Sequence, residues 1–150
     1  MVQVLFLGGV LSCNTTPEPC PTIDGVYRVS YVSPGQCPLD EVVIPIEGTG
    51  QGLHHKYETR PDTTVHSVTN LRGCVMDLEI TVIRNNNNKT VSLVDGRMSI
   101  QNDTSYLVGS ATGTKFDEAY PDRQQILCQD FVEVHAARQP DGLAGALGAN

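Results

Sequence analysis

The chain has 150 residues, a formal net charge of -7 and a pI near 4.9, a length that suits one domain around a single core. Only 18% of residues are charged and no cluster of Lys or Arg occurs. That argues against nucleic acid and anionic membrane surfaces as partners, since both are bound through basic patches, and leaves the negative charge as an aid to solubility.

Residues 1–11 form an almost unbroken apolar run, followed by Ser12, Cys13 and a polar, proline-broken stretch from Asn14 to Pro21. The run is shorter than the roughly 20 apolar residues that span a bilayer. It has the apolar core and the small terminal residue of an export signal, although residues 1–12 carry no Lys or Arg. Val10-Leu11-Ser12-Cys13 resembles the lipobox of bacterial lipoproteins, with Val10 where Leu is usual and a bulky Leu11. In that family the cysteine becomes the first residue of the mature chain and carries lipid on its sulfur and amino group. The resemblance implies a signal peptide over residues 1–12, lipid on Cys13, and a tether over 13–22 stiffened by Pro17, Pro19 and Pro21. It places the protein in the cell envelope, anchored to the outer membrane through that lipid; a periplasmic or secreted soluble protein is the alternative.

From Asp24 onward the pattern is that of strands. Val26–Val32 alternates, with Tyr27, Val29 and Tyr31 on one face and Arg28 and Ser30 on the other. Ser33-Pro34-Gly35 breaks it. Glu41–Glu47 follows, with Val42, Ile44 and Ile46 on one face; Pro45 cannot donate to a ladder and marks an edge or bulge. Beyond the glycine-rich turn at 48–52, Leu53–Arg60 and Thr63–Asn70 read as a hairpin around Pro61-Asp62, with polar residues on both faces. Cys74–Arg84 is the clearest strand, placing Met76, Leu78, Ile80 and Val82 on its apolar side. Asn85–Asn88 is a turn. Lys89–Gln101 is one strand bent at Asp95-Gly96, or two short ones, and Ser105–Thr114 is the next. Phe116–Arg123 is an acidic loop. Gln125–Arg138 is the last strand, with Val132, Val134 and Ala136 inward, and 139–150 is a loose Gly/Ala-rich tail.

About eight strands joined by short turns, with no amphipathic helix, predict an all-β domain over 23–138. An antiparallel up-and-down β-barrel fits best, with a β-sandwich as the alternative. The five cysteines, Cys13, Cys20, Cys37, Cys74 and Cys128, show no C-x-x-C pair or zinc spacing. In an exported protein they are expected to form disulfides. If Cys13 is lipidated, four remain. Alternating strand directions put Cys37 and Cys128 at one end of the barrel and Cys20 and Cys74 at the other. Bridged Cα atoms must lie within about 7 Å, so those are the expected pairs. Gly25-Val26-Tyr27 on the first strand and Arg138 on the last resemble the calycin pattern of lipocalin-like barrels, in which a Gly-x-Trp packs under a terminal Arg or Lys. Tyr27 stands in the Trp position of a chain that has no Trp. The resemblance implies that Gly25, Tyr27 and Arg138 close the barrel base, with the guanidinium over the ring.

No nucleophile elbow, zinc-protease helix, Walker loop or dinucleotide fingerprint occurs. His54, His66 and Glu58 could meet across a hairpin, but no fixed ligand spacing supports a metal, and exposed strand histidines are common. Asp117, Glu118 and Asp122 crowd one loop without the pattern of a calcium site. Asp130 shares parity with Val132 and Val134; a bulge that turns it outward is the simple account of a carboxylate there. Asn14, Asn88 and Asn102 begin glycosylation sequons, relevant only to a eukaryotic secretory route. Tyr27, Tyr31, Tyr57 and Tyr106 are the candidates for large inward side chains. The expected activity is a non-enzymatic binding domain without cofactor or metal, taking a small apolar ligand or an envelope protein, and touching the membrane through lipid on Cys13. A secreted hydrolase built on His54, His66 and Glu58, and a purely structural envelope protein, are the alternatives.

Overall fold

Alternation of apolar and polar residues decides the architecture. A computed structural model of the chain describes residues 20–32, 35, 37–47, 53–86, 88–117 and 125–140. Among them are eight strands and no helix: β1 (Gly25–Val32), β2 (Val42–Ile46), β3 (Leu53–Arg60), β4 (Thr63–Arg72), β5 (Val75–Asn86), β6 (Asn88–Ser99), β7 (Tyr106–Asp117) and β8 (Gln125–Arg138). They make one antiparallel sheet in the order β2-β1-β8-β7-β6-β5-β4-β3. Strands adjacent in sequence therefore pair, except β2 and β3, which are the two edges of the sheet, and β1 pairs with β8 from Tyr27↔Arg138 to Val32↔Glu133. The sheet curls into a nearly closed up-and-down barrel. Its seam lies where β2 comes alongside β3 and β4 with no ladder among the described residues. Pro45 sits in β2, the edge strand, where a missing N–H costs no interior ladder bond.

The inward-facing residues form one core. β1 supplies Tyr27 and Val29; β2 supplies Val42, Ile44 and Ile46; β5 supplies Met76, Leu78, Ile80 and Val82; β8 supplies Val132, Val134 and Ala136. Each large aliphatic contributes about 1.5–3 kcal/mol by leaving water. In β4 the buried positions are Thr63, Val65, Ser67 and Thr69, so hydroxyl residues line the interior there. That explains why this strand reads as polar on both faces.

Two local expectations change, and one pair of alternatives resolves. The asparagine run is not a four-residue turn: β5 runs to Asn86 and β6 restarts at Asn88, because the two pair up to Asn86↔Asn88. β6 passes Asp95-Gly96 as one strand, the first of the two alternatives, and β7 lies close against it, since a β-carbon at Gly109 would run into the carbonyl of Arg97. Phe116 and Asp117 belong to β7 rather than to a loop. The rest of the acidic loop, residues 118–124, and the tail from 141 lie outside the described residues.

Both ends are stapled. At the lower end Cys20 bridges Cys74 with a Cα separation of 5.2 Å, and at the upper end Cys37 bridges Cys128 at 5.4 Å. These are the pairs that alternating strand direction selects. Cys13 lies outside the described residues.

Candidate functional site

The lower end is closed by side chains that the calycin-like pattern singles out. Ile23 and Tyr27 are fully buried. The Tyr27 hydroxyl donates to the Thr104 carbonyl at 2.8 Å. Burial raises its pKa above the usual tyrosine value, against the opposing pull of Arg138. Gly25 has φ of 142°, a conformation side chains rarely adopt, and a β-carbon there would stand 2.9 Å from Nε of Arg138. The guanidinium thus packs on Gly25. It forms no cation–π pair with the Tyr27 ring among the ring contacts of the described residues.

The upper end is closed by polar contacts from the segment between β1 and β2. Arg84 donates to Asp40 at 2.6 Å, and Leu39 packs on β7 at Gly113. The Gly35 N–H donates to Asp130 Oδ2 at 2.8 Å. Asp130 therefore keeps its inward parity and is not turned out by a bulge. The register slip falls earlier in β8, between Lys115↔Cys128 and Phe116↔Ile126, and Asp130 is used to hold the loop. Both ends of the interior are thus occupied by the protein's own chain.

The outer wall carries what the interior does not. Tyr106 is exposed on the outside of β7, contrary to its expected inward place, because Leu107 and Ala111 take the interior positions of that strand. Its hydroxyl meets Nδ1 of His135, and Nε2 of His135 meets Glu133 Oε1. A carboxylate can only accept, so Nε2 is the donor to Glu133, and the tyrosine hydroxyl meets the other ring nitrogen. The two rings meet edge to face at 5.6 Å. Further up β8, Phe131 is 64% exposed, Ile126 56% and Leu127 50%; beside them Val32 of β1 is 58% exposed. The slip in register creates part of this ridge. Unbroken alternation would turn Ile126 inward with Cys128; the bulge leaves Leu127 without a partner and sets Ile126 opposite Phe116. Alternation alone places Phe131 outside, whereas nothing in the sequence marks the bulge.

Elsewhere on the wall, Asp77 accepts from Arg72 and, at 2.9 Å, from Arg97. Burial pushes its pKa up, but the hydrogen bonds and charges of the two arginines outweigh this and hold the carboxyl below its usual range. The expected His/Glu trio is spread along the β3–β4 ladder: Lys56 is directly opposite His66, with His54 opposite Val68 and Glu58 opposite Thr64. No group of three or more His, Cys, Asp or Glu among the described residues is placed to hold a metal. Of the three sequons, Asn102 is exposed in the turn between β6 and β7, Asn88 opens β6, and Asn14 lies outside the described residues.

No protein family, curated protein or solved structure that was compared matches the chain. The barrel is compatible with a lipocalin-like fold, and its two disulfides point weakly to an extracytoplasmic setting.

Proposed function

We propose that the protein is an exported, envelope-anchored domain, held to the membrane by lipid on Cys13, which acts without catalysis by binding a protein partner on its outer wall. The observation that carries the binding reading is the contrast between the two sides of the sheet. Among the described residues the interior holds one continuous cluster of buried side chains, which favours a protein partner over a ligand held in the lumen, since a small barrel either fills with side chains or holds one small ligand. Outside, four large apolar residues on adjacent strands stand at least half exposed. The anchor reading rests on the cysteines: four are bridged in pairs and Cys13 is the fifth.

Intact-mass analysis of the membrane fraction tests the anchor. We expect a chain that starts at Cys13 and carries acyl mass, released to the soluble fraction by Cys13→Ala; an unmodified Cys13 or a different mature start rejects it. Reversible cross-linking of tagged protein in intact cells tests the partner. We expect one discrete protein adduct, and the absence of any adduct from every outer-wall position rejects a protein partner.

A further inference from the structure

We propose that the ridge of Val32, Ile126, Leu127 and Phe131 docks a protein segment that offers apolar side chains together with a Lys or Arg placed to meet Glu133. This rests on the partner-binding reading above and deepens it by naming the surface and the chemistry of what covers it. Val32 lies directly across from Glu133, and Phe131 is the next residue on the same face of β8. Diagonal neighbours on one face of a sheet are about 7–8 Å apart, so these side chains form one surface. The bulge adds Ile126 and Leu127 to its upper end.

Charge separates a partner protein from a second copy of the chain. Four apolar side chains at half exposure or more leave roughly 400 Å² of surface, the scale of a functional patch on a monomer. A second copy would bring another net charge of -7 against the ridge. A single segment lying along β8 fits this area.

Charge supplies the rest of the specificity. Glu133 is 57% exposed at the lower border of the ridge. Its direct cross-strand neighbours are Val32 and Ser110, neither of which is charged. His135 holds the carboxylate through Nε2 and is held in turn by Tyr106, so its position is fixed before a partner arrives. A pre-positioned carboxylate beside an exposed phenyl ring suits a cationic side chain, which gains a charge-assisted hydrogen bond from the one and cation–π attraction from the other.

The test is fluorescence anisotropy of a labelled peptide alternating Leu with Lys, titrated with the full chain, against the same peptide with Glu in place of Lys. We expect binding of the first, weakened about tenfold or more by Phe131→Ser and by Glu133→Lys. Glu79→Lys makes the same change in net charge on the exposed face of β5, away from the ridge. It should leave binding within about twofold, since only long-range attraction is altered. Equal binding of the two peptides, or an equal loss from Glu79→Lys, overturns the proposal. So does sedimentation of a dimer that Phe131→Ser dissolves, which assigns the ridge to a second copy, or co-sedimentation with neutral phosphatidylcholine vesicles that depends on Phe131. The broader reading fails on the cellular cross-link, which is a different readout: an adduct formed from another face would leave a partner-binding domain with its surface misplaced here.

Discussion

The two ends of the barrel each carry a disulfide, yet they are finished by different physics. The lower end is sealed by burial: Ile23 and Tyr27 are at most 1% exposed, and the one polar tip, the Tyr27 hydroxyl, is satisfied by Thr104. The upper end is sealed by polar groups that still see water, with the Arg84 and Asp40 side chains 39% and 27% exposed. Burying a large side chain contributes several times more than an exposed ion pair. The lower end should therefore open only with the whole domain, and the upper end should open locally first. A barrel with one fixed end and one looser end has a natural orientation if Cys13 is lipidated. Cys20 sits at the fixed end, so the tether would hold that end towards the membrane and leave the upper ridge facing outward.

The largest test of this contrast is Tyr27→Ala, expected to cost about 3–5 kcal/mol by cavity formation, as for other buried aromatics. Chemical denaturation measures it. Tyr27→Phe removes only the hydroxyl and leaves the Thr104 carbonyl without its donor, and should cost about 1 kcal/mol. The phenol also sets an alkaline limit. Its folded pKa is raised above the ordinary value of 10.0 by burial, so its contribution is present below that pH and is lost as pH rises through the folded value. Stability followed from pH 8 upward should fall less steeply in Tyr27→Phe than in the parent chain. Equal slopes would mean that the ring is not buried as described.

Replacing each bridge by a pair of serines comes next, at about 2–5 kcal/mol apiece on the chain-entropy account. The bridges span 54 and 91 residues. Chain entropy alone then separates their effects by only about 0.5 kcal/mol, because the cost of closing a loop grows slowly with length. What should differ is where each variant opens. Without Cys37–Cys128, hydrogen exchange should rise around Gly35–Asp40 well below the global unfolding energy. Without Cys20–Cys74, exchange near Ile23 should continue to track global unfolding. The same local opening in both variants would erase the distinction between the ends.

This contrast also shows what a sequence can reveal. Strands such as β5 are legible because their faces differ sharply: Met76, Leu78, Ile80 and Val82 alternate with Asp77, Glu79 and Thr81. Direction follows from counting strands, and with it the ends to which four cysteines belong. β4 is harder, since its interior face bears Thr63, Ser67 and Thr69 and matches its exterior in polarity. The bulge beside Leu127 left no mark, because a one-residue slip depends on how β7 and β8 meet and not on either segment alone. Two further placements were hidden for the same reason. Asp130 meets the Gly35 N–H, 95 residues away, and Tyr106 meets His135, 29 residues away.

Gly25→Ala probes the fixed end more gently. The added methyl meets Nε of Arg138 at 2.9 Å, and the guanidinium can swing aside, but the φ of 142° remains. Holding a non-glycine residue there costs on the order of 1–3 kcal/mol. If Gly25→Ala is neutral, the backbone at the barrel base is freer than its pairing with Ile46 implies.

The smallest effect is expected at the looser end, and it is the sharpest check on the comparison. Asp40→Asn removes the charge that Arg84 pairs with while keeping the shape of the side chain. The pair is partly exposed, so its loss should cost under about 1 kcal/mol and shrink further in high salt. One detail works the other way: Arg84 Nε is buried without an acceptor among the described residues. A guanidinium left with both that unmet donor and no counter-ion would be costly if the site were dry. A measured loss near Tyr27→Phe or below, falling with added salt, fits a wet upper end that opens readily. A salt-independent loss of several kcal/mol would mean that Arg84 is shielded from water and that the upper end, like the lower one, is held shut by burial.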